Sequence, residues 1–382
     1  MKIGIITIHN SPNYGACLQA YALWKYISLH GQDCEIINLY RPHQVEYVKS
    51  KRFHPMRQSN GLVAKAKHLV KGILGIGKAK AGRSLYSDKA KAKFDEFNSQ
   101  IKLSQPYTGI DGLYTDPPEY DLYISGSDQL WNPTQPYCLE PYFLTFTPAG
   151  SKKISYATSI GITDLTENEK RKFKAWLSSY SAVSVREKQA KALLESFTGR
   201  SDIKQVPDPT FLLGIEHWKG IAEQPKNKDK YILLFILNWS QQLLDYSLKL
   251  SLESGLRLVV LAQKQPEYAG DSYILVTDAG PKEFIGYIEN ANMVITDSFH
   301  CTVFSIIMGA KNFYTYISPS NGRGSRITDL LDSFGLQDHL LNPDLTDNYT
   351  RLETLKINRA DIVNTIELLK IQGQSFIDKF LK

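Results

Sequence analysis

The stretch KIGIITIHNSPNYGACLQA, residues 2–20, decides the fold class of this chain. Its apolar run over Lys2–Ile8 predicts a buried β-strand, and the polar loop that follows leads into apolar residues near helical spacing over Tyr14–His30. Gly31 ends the predicted helix, because glycine tolerates the backbone conformation that a helix C-terminus requires. A buried strand that runs through a short loop into a helix is the first half of a βαβ unit with a parallel sheet.

The same alternation continues through the 382 residues in two series, which a polar stretch at 224–230 separates. The strands predicted in the first series are at 35–40, 120–125, 153–156 and 182–185. Those predicted in the second series are at 231–237, 256–262, 293–296 and 311–316. We therefore predict an α/β protein with two Rossmann-like domains facing a cleft, at 1–214 and 215–382, and a C-terminal helix that closes the chain.

Composition excludes several classes of protein. Apolar residues make up 42% and charged residues 22% of the chain, as in ordinary soluble proteins. The four cysteines, at positions 17, 34, 138 and 301, form no CxxC pair, which argues against a zinc knuckle or a disulfide framework. The longest apolar runs are far shorter than the roughly 18 residues of a membrane-spanning helix, and the first residues lack the pattern of a signal peptide. We therefore expect a cytoplasmic protein.

The basic residues are concentrated in one segment, 49–93, which we interpret as an insertion. It contains thirteen lysines and arginines and one acid, Asp88, whereas the net charge of the whole chain is only +6. The rest of the chain is therefore acidic overall, which argues against a nucleic-acid-binding protein. Within the segment, residues 62–78 predict a helix with one apolar and one basic face. Such a helix either lies on an anionic membrane surface or packs against its own domain.

Two polar loops that follow predicted strands are candidate sugar-binding sites. In the first loop, Asn13 and Tyr14 precede Gly15, where backbone can approach a ligand; the alternative is a tight turn that only shapes the chain. Cys17 in the same region is interpreted as a packing residue rather than a nucleophile. The second loop offers hydroxyl, carboxylate, amide and indole groups that suit a sugar, from Ser127, Asp128, Gln129 and Trp131. Its alternative interpretation is a helix start that Asp128 caps.

Basic side chains near other strand ends are candidates for binding an anion and for moving protons. Arg186, in Ser-Val-Arg-Glu, can bind a carboxylate or phosphate, or it can pair with Glu187. His300 follows a strand and two helix-capping candidates, Asp297 and Ser298, so it can act as a base, act as an acid beside a phosphate, or simply fill space. Arg323 and Arg326 form either an anion clamp or part of a solvated loop.

In their order along the chain, NYGACLQAYAL, YDLYISGSDQLWNP, SVRE, PDPTFLL and ANMVITDSFHCTVFS resemble the polysaccharide pyruvyl transferase family. The resemblance runs from Ile3 to about Leu336. It implies two domains arranged as in GT-B glycosyltransferases, phosphoenolpyruvate as donor and a hexose of a polysaccharide or its precursor as acceptor. The products would be a cyclic pyruvate ketal and phosphate.

The resemblance also implies roles for individual residues. His300 matches the family's catalytic histidine, and Arg186 matches an arginine of its active-site cleft. Better-studied members carry Asp-Arg-Leu-His where this chain has Asp297-Ser-Phe-His, so Arg323 or Arg326 is expected to replace the missing cation. We expect proton transfer by His300, with Asp128 as a second candidate near the acceptor. The expected donor-binding residues are Arg186, Arg323, Arg326 and Ser298, and the expected acceptor-binding residues are Asn13, Tyr14, Ser127, Gln129 and Trp131.

The expected partners are phosphoenolpyruvate, as a co-substrate, and a sugar acceptor that a lipid can carry. No metal or other cofactor is expected, because arginines can stabilise the charge of the donor. The region 61–80 would place the protein at the inner face of a membrane. Two alternatives stay open: a GT-B glycosyltransferase that uses a nucleotide sugar, and a catalytically inactive carbohydrate-binding member of the family.

Overall fold

The computed structural model describes residues 1–57, 86–226, 229–262, 272–319 and 324–382. The chain begins with strand β1 (Lys2–Ile6) and helix α1 (Tyr14–Leu29), as residues 2–20 predict. All of β1 after Lys2 is buried, as is usual for a parallel strand that helices cover on both faces. Asn13 begins the helix, because its side chain accepts a hydrogen bond from the backbone N–H of Ala16 at 3.1 Å.

Six parallel strands form the first sheet, in the order β2-β1-β3-β4-β5-β6. The strands after β1 are β2 (Asp33–Ile36), β3 (Leu122–Asp128), β4 (Lys153–Thr158), β5 (Ser184–Val185) and β6 (Lys204–Gln205). Among the described residues of this half, four further helices are present: α2 (Asp88–Asn98), α3 (Ile110–Thr115), α4 (Glu167–Leu177) and α5 (Lys188–Thr198). The sequence patterns did not predict α2, α3 or β6.

The second sheet has five parallel strands in the order β11-β10-β7-β8-β9. They are β7 (Tyr231–Ile236), β8 (Arg257–Ala262), β9 (Ile274–Val276), β10 (Met293–Thr296) and β11 (Phe313–Thr315). The helices are α6 (Ile215–Ile221), α7 (Gln241–Ser254), α8 (Pro281–Asn290), α9 (Phe299–Ile307), α10 (Ser325–Phe334), α11 (Tyr349–Thr354) and α12 (Arg359–Ile377). The predicted α/β class with two Rossmann-like sheets is confirmed.

The two halves share a buried interface. At the start of α1, the ring of Tyr14 stacks on Phe284 of α8 at 4.4 Å, and its hydroxyl donates to the Ala279 carbonyl at 3.0 Å. Further along, the ring centre of Trp218 in α6 lies 6.1 Å from that of Tyr21 in α1, and Trp218 meets Phe304 of α9 edge to face at 4.9 Å. The apolar core is therefore continuous between the sheets, and it fixes the ends of α1 and α9 against each other.

The last helix crosses back to the first half of the molecule. Gln372 of α12 donates to the Gln205 carbonyl at the end of β6, at 2.9 Å. One turn later the ring of Phe376 is buried 6.2 Å from that of Tyr156 in β4, and Tyr26 of α1 donates to the Asp378 carboxylate at 2.8 Å. The predicted closing helix is thus present, and it ties the second half of the chain to the first sheet.

Several expectations differ from the structure or lie beyond it. Strand β2 ends at Ile36 rather than at residue 40, because residues 36 and 39 form isolated bridges with Leu103 and Tyr107 instead of continuing the sheet. The predicted amphipathic helix at 62–78 lies outside the described residues. In the described part of the chain, no helix has both the length and the apolar composition needed to cross a membrane. The domain boundary between residues 214 and 215 stays a prediction.

Candidate active site

Charged side chains from both halves of the molecule meet where the strands end. Asp128 is the last residue of β3, Arg186 and Glu187 follow β5, and Asp208 lies three residues after β6. His300 comes from the other sheet, in the first turn of the helix that follows β10. Parallel strands bring their carboxyl ends to one edge of a sheet, so two sheets facing each other place these groups together.

His300 is held between the two halves. The Ser298 side chain begins α9 by accepting a hydrogen bond from the Cys301 N–H at 3.3 Å. The His300 ring lies against Gly15 of α1, where a Cβ atom would overlap it. On its other side, His300 Nε2 is 3.3 Å from a carboxylate oxygen of Asp208, at ion-pair distance but outside hydrogen-bond geometry. In enzymes, contacts of this kind are commonly looser before substrate binds. The Asp208 carboxylate can therefore orient the ring.

Arg186 lies at the centre of three carboxylates. Its Nη1 donates to Asp208 at 2.6 Å, its Nε donates to Glu187 at 3.3 Å, and its Nη2 is 3.6 Å from Asp128. Arg186 is only 6% exposed, and burial by itself would lower its pKa. The three carboxylates outweigh burial and raise the pKa of Arg186 above its ordinary value, so the guanidinium stays charged. Nη2 has no hydrogen-bond partner among the described residues, which leaves one donor for a ligand.

Both aspartates of the cluster are stabilised as anions. Burial raises the pKa of each, but the positive charges of His300 and Arg186 outweigh burial and hold both values below the ordinary range. For Asp208 the backbone N–H of Thr210 adds a hydrogen bond at 3.1 Å. Asp208 and Asp128 are therefore charged at neutral pH and are suited to accept hydrogen bonds or to pair with a cation.

Two guanidinium groups lie near the ring of Phe299. The Arg186 guanidinium carbon lies 4.3 Å from the centre of the Phe299 ring, and that of Arg326, in the first turn of α10, lies 5.6 Å from it. With its amide oxygen turned toward Arg326, Gln129 accepts hydrogen bonds from both terminal nitrogens of that side chain, at 3.0 and 2.8 Å. Cation–π contact of this kind holds an arginine in place without neutralising its charge.

The structure brings some of the predicted site residues together and not others. Asp128, Gln129, Arg186, His300 and Arg326 form one cluster, with Ser298 as the cap beneath it. Four other predicted residues make contacts that support the fold. Asn13 caps α1 and Tyr14 packs in the interface between the halves. Ser127 donates a hydrogen bond to the Ala157 carbonyl, and the buried Trp131 stacks on Phe143. Arg323 lies outside the described residues.

Two residues of the site were not predicted from the sequence: Asp208 and Phe299. The pairing of Arg186 with Glu187 was one of the two alternatives that the sequence left open, and the structure shows that contact. The signal for Asp208 was its setting in Val206-Pro-Asp-Pro-Thr, where an acid in an apolar, proline-flanked stretch has to be buried with a partner. The stretch contributed to the family resemblance as Pro-Asp-Pro-Thr-Phe-Leu-Leu, but the sequence indicated no role for Asp208. No sequence spacing predicts that its partners are Arg186 and His300, from two other strands.

Two other sequence interpretations can be decided. Asp297 does not cap α9. Its carboxylate instead accepts hydrogen bonds from the backbone N–H groups of Leu237 and Asn238 after β7, at 2.6 and 2.9 Å. Cys17 is buried, and burial raises the pKa of its thiol to about 12. Because only the thiolate is a good nucleophile, this agrees with Cys17 as a packing residue.

A pocket of about 110 Å³ opens beside the cluster. Its basic lining residues are Arg186, Lys188 and Arg326, and its acidic ones are Glu187, Asp208 and Asp329. The walls come from the loops after β5 and β6, from the starts of α9 and α10, and from α12. The pocket is therefore lined by residues of both halves of the chain, and Arg186 is one of them.

The fold places the protein in a class whose members have two facing Rossmann-like domains, among them GT-B glycosyltransferases and sugar-nucleotide epimerases. UDP-N-acetylglucosamine 2-epimerase from Rickettsia bellii matches with a TM-score of 0.55 at 10% identity, over 100% of this chain and 97% of that one. Arabidopsis thaliana UGT89C1 complexed with quercetin matches with a TM-score of 0.51 at 12% identity, over 100% and 98%. At such identities the likeness concerns the fold alone.

The family follows from the sequence. The family model for polysaccharide pyruvyl transferase matches residues 13–319, so this chain belongs to the polysaccharide pyruvyl transferase family. The matched range contains Asp128, Arg186, Asp208 and His300. A comparison with proteins of curated function finds no match.

Proposed function

We propose that this protein transfers the enolpyruvyl group of phosphoenolpyruvate onto a hexose of a polysaccharide or its precursor. Two hydroxyls of the sugar form a cyclic ketal with the pyruvyl carbon, and inorganic phosphate is released. The observation that carries the proposal is the contact series Arg186–Asp208–His300 at the meeting of the two sheets, in a chain of this family.

His300 is the group proposed to move protons. It lies where the two halves meet, against Gly15 and with an Asp208 carboxylate oxygen 3.3 Å from its Nε2 atom, an arrangement that suits proton transfer by an imidazole. Arg186 in turn fixes Asp208 by a hydrogen bond of 2.6 Å. An isolated histidine that only filled space would not need a buried, arginine-held carboxylate beside its Nε2 atom.

The donor is proposed to bind in the pocket beside Arg186. Phosphoenolpyruvate carries up to about three negative charges, so it needs guanidinium or ammonium groups. Arg186 Nη2, Lys188 and Arg326 offer these groups, and Ser298 lies at the start of α9, where free N–H groups favour an anion. Of the acids in the lining, Glu187 and Asp208 already partner Arg186, and Asp329 accepts a hydrogen bond from the backbone N–H of Lys188.

In the proposed reaction, phosphoenolpyruvate and two hydroxyls of the sugar are converted to a cyclic ketal and inorganic phosphate. A proton from the His300 side adds to the methylene carbon of the donor, and the first sugar hydroxyl attacks the central carbon and loses its proton. The C–O bond to phosphate then breaks, phosphate leaves with that electron pair, and the second hydroxyl closes the ketal and loses its proton. Asp128, as a charged carboxylate beside Gln129, is placed to accept a hydroxyl proton or a hydrogen bond from the acceptor.

An assay that compares donors tests the proposal. Purified protein is given phosphoenolpyruvate or a UDP-hexose, each with methyl hexosides that carry free hydroxyl pairs, and release of inorganic phosphate or of UDP is measured. We expect acceptor-dependent phosphate release and a new ketal methyl signal in the NMR spectrum. Release of UDP without phosphate release would identify a nucleotide-sugar glycosyltransferase instead. Product formation by the His300→Ala variant at the wild-type rate would remove His300 from the mechanism.

A further inference from the structure

The two acids of the pocket that contact Arg186 are not equally satisfied. Asp208 Oδ1 accepts hydrogen bonds from the backbone N–H and the hydroxyl of Thr210, at 3.1 and 2.9 Å, and Asp208 Oδ2 accepts from Arg186 Nη1 at 2.6 Å. Glu187 Oε1 accepts from Arg186 Nε at 3.3 Å, but Glu187 Oε2 has no hydrogen-bond partner among the described residues. Glu187 therefore keeps one carboxylate oxygen unpaired.

The unpaired oxygen belongs to a buried side chain. Glu187 is only 2% exposed, so bulk water hardly reaches it, yet the residue lines the pocket. A buried polar atom without a hydrogen bond costs free energy, and an ionised carboxylate can only accept hydrogen bonds. A ligand that brings an O–H or N–H donor into the pocket would supply the missing partner.

The backbone next to Glu187 is held by two other elements. Glu187 comes directly before α5, and the Gln205 side chain donates to the carbonyl of Arg186 at 3.3 Å. Gln372 of α12 in turn donates to the Gln205 carbonyl at 2.9 Å. The unpaired oxygen is thus carried by a fixed part of the pocket wall rather than by a free loop.

The charges of the pocket lining cancel. Its charged groups are Arg186, Glu187, Lys188 and Asp208 from the first half and Arg326 and Asp329 from α10. The other elements of the lining, α9 and α12, contribute uncharged residues to it. Outside the lining, Asp128 lies 3.6 Å from Arg186 and His300 lies 3.3 Å from Asp208. Three positive and three negative charges favour an anion in its less charged form over the same anion with one more negative charge.

Phosphate and sulfate differ in the group that Glu187 lacks. A phosphate monoester keeps one P–O–H group until the pH exceeds its second pKa of about 6. Inorganic phosphate keeps at least one such group throughout the neutral range, whereas sulfate has none there. A P–O–H group can donate a short hydrogen bond to a carboxylate, but a sulfate oxygen in the same place would be repelled by it.

We infer that Glu187 is a specificity-determining residue that accepts a hydrogen bond from a protonated phosphate oxygen of the ligand. The guanidinium and ammonium groups of the pocket bind the other phosphate oxygens. For phosphoenolpyruvate, the bound form then carries one negative charge fewer than the fully ionised molecule. The inference rests on the proposed function for the identity of the donor, but not for the preference for a protonated phosphate.

Calorimetry with inorganic phosphate and sulfate tests the inference without turnover. At neutral pH we expect the purified protein to bind phosphate about ten-fold or more tightly than sulfate, because sulfate replaces the hydrogen bond to Glu187 by repulsion. Glu187→Gln should remove most of this preference, since an amide can turn its N–H group toward sulfate.

Asp329→Asn is the matched control. It removes one negative charge from the same lining, leaves Glu187 in place and keeps an oxygen for the backbone N–H of Lys188. This variant should bind both anions more tightly than the wild type while the preference for phosphate stays. The preference of the wild type is itself decisive, so the test does not depend on how well either variant folds.

The pH dependence of phosphoenolpyruvate binding is a second measurement. The affinity of the wild type should fall several-fold from about pH 6 to about pH 8, as the ester loses its last phosphate proton. Asp329→Asn should keep this decline and Glu187→Gln should lose it. Because His300 is present in all three proteins, its titration does not account for a difference between them.

Equal binding of phosphate and sulfate by the wild type, no binding of either anion, or the same loss of preference in both variants would overturn the inference. If the preference depends on Glu187 but phosphoenolpyruvate neither binds nor releases phosphate, the proposed donor is wrong and the phosphate site stands. If phosphoenolpyruvate is turned over while Glu187→Gln prefers phosphate as the wild type does, the inference on Glu187 fails alone.

Discussion

At the scale of single residues, the properties of His300 depend on two neighbours that lie far away in the chain. Gly15 leaves the space that the imidazole occupies, and Asp208 places a negative charge 3.3 Å from its Nε2 atom. Both contacts come from residues that are distant from His300 in the sequence. Changes at these positions should therefore act on turnover more than on the fold.

Replacement of His300 by alanine should lower turnover by about 10²–10⁴-fold, the usual contribution of a general acid or base. Phosphate release from phosphoenolpyruvate measures this, with circular dichroism to show that the fold is kept. His217→Asn is the matched control, because this half-buried histidine bonds to the Tyr21 hydroxyl at 3.1 Å, away from the cluster. A similar loss in both variants would mean that the histidines act through stability.

Gly15→Ala should lower turnover by about 10²-fold while the protein stays folded. The new Cβ atom would overlap the His300 ring and push it from its place, and a displacement of about 1 Å costs roughly this much in rate. The substitution also favours the helix, so lost stability is not the expected cause. Gly220→Ala is the control, since a Cβ atom there meets nothing within 4 Å. Wild-type turnover in Gly15→Ala would show that the ring position is not required.

At the scale of elements, the site depends on where α9 begins. Residues 293–307 contain a short buried strand, a two-residue turn and a helix whose cap is Ser298. The strand was predicted at 293–296 and observed with the same bounds, because a buried apolar run between polar turns has few alternatives. The cap fixes the first turn of α9 and therefore the direction of the His300 side chain.

Ser298→Ala should destabilise the protein by about 1 kcal/mol and also lower turnover. The loss of stability follows from the lost hydrogen bond to the Cys301 N–H, and the loss of turnover follows from a less ordered first turn at His300. Ser240→Ala removes the equivalent cap of α7, whose side chain accepts from the Leu243 N–H at 3.2 Å. Urea unfolding should show a similar loss of unfolding free energy in the two variants. Only Ser298→Ala should also have a lower turnover. Equal turnover in the two would contradict the role of the cap.

At the scale of the whole molecule, α12 connects the end of the chain to the first sheet. Phe376→Ala should lower the free energy of unfolding by about 3–5 kcal/mol, because the ring is buried against Tyr156 and Phe380. Leu368→Ala on the same helix is the control: its side chain is 67% exposed, so the change should stay within about 0.5 kcal/mol. Urea midpoints measure both. A small loss for Phe376→Ala would mean that α12 is not needed to hold the two halves together.

Acid should weaken the protein through Asp128 and Asp208. Their pKa values are lower in the folded state than the ~3.9 of an unfolded aspartate, so their contribution to stability is complete above that value. This contribution to stability is lost as the pH falls through the pKa values that the two aspartates have in the folded state. Unfolding free energy should therefore decline steeply below about pH 4. The double variant Arg186→Met, Asp208→Leu removes one aspartate together with its buried cation, so its decline should be shallower. Parallel curves for the two proteins would contradict this account.

The sequence by itself determined the α/β class, the two parallel series, most strand positions, and Arg186 and His300 as candidates, because these depend on local apolar periodicity and on the short loops after strands. The order of the motifs in the sequence also indicated the family. Only the tertiary structure decided that Asp208 pairs with both Arg186 and His300, that Phe299 lies near two arginines, and that Tyr14, Ser127 and Trp131 pack instead of lining the cluster. The physical reason is that these contacts join strand ends far apart in the chain, and only the twist and packing of two sheets set their distances.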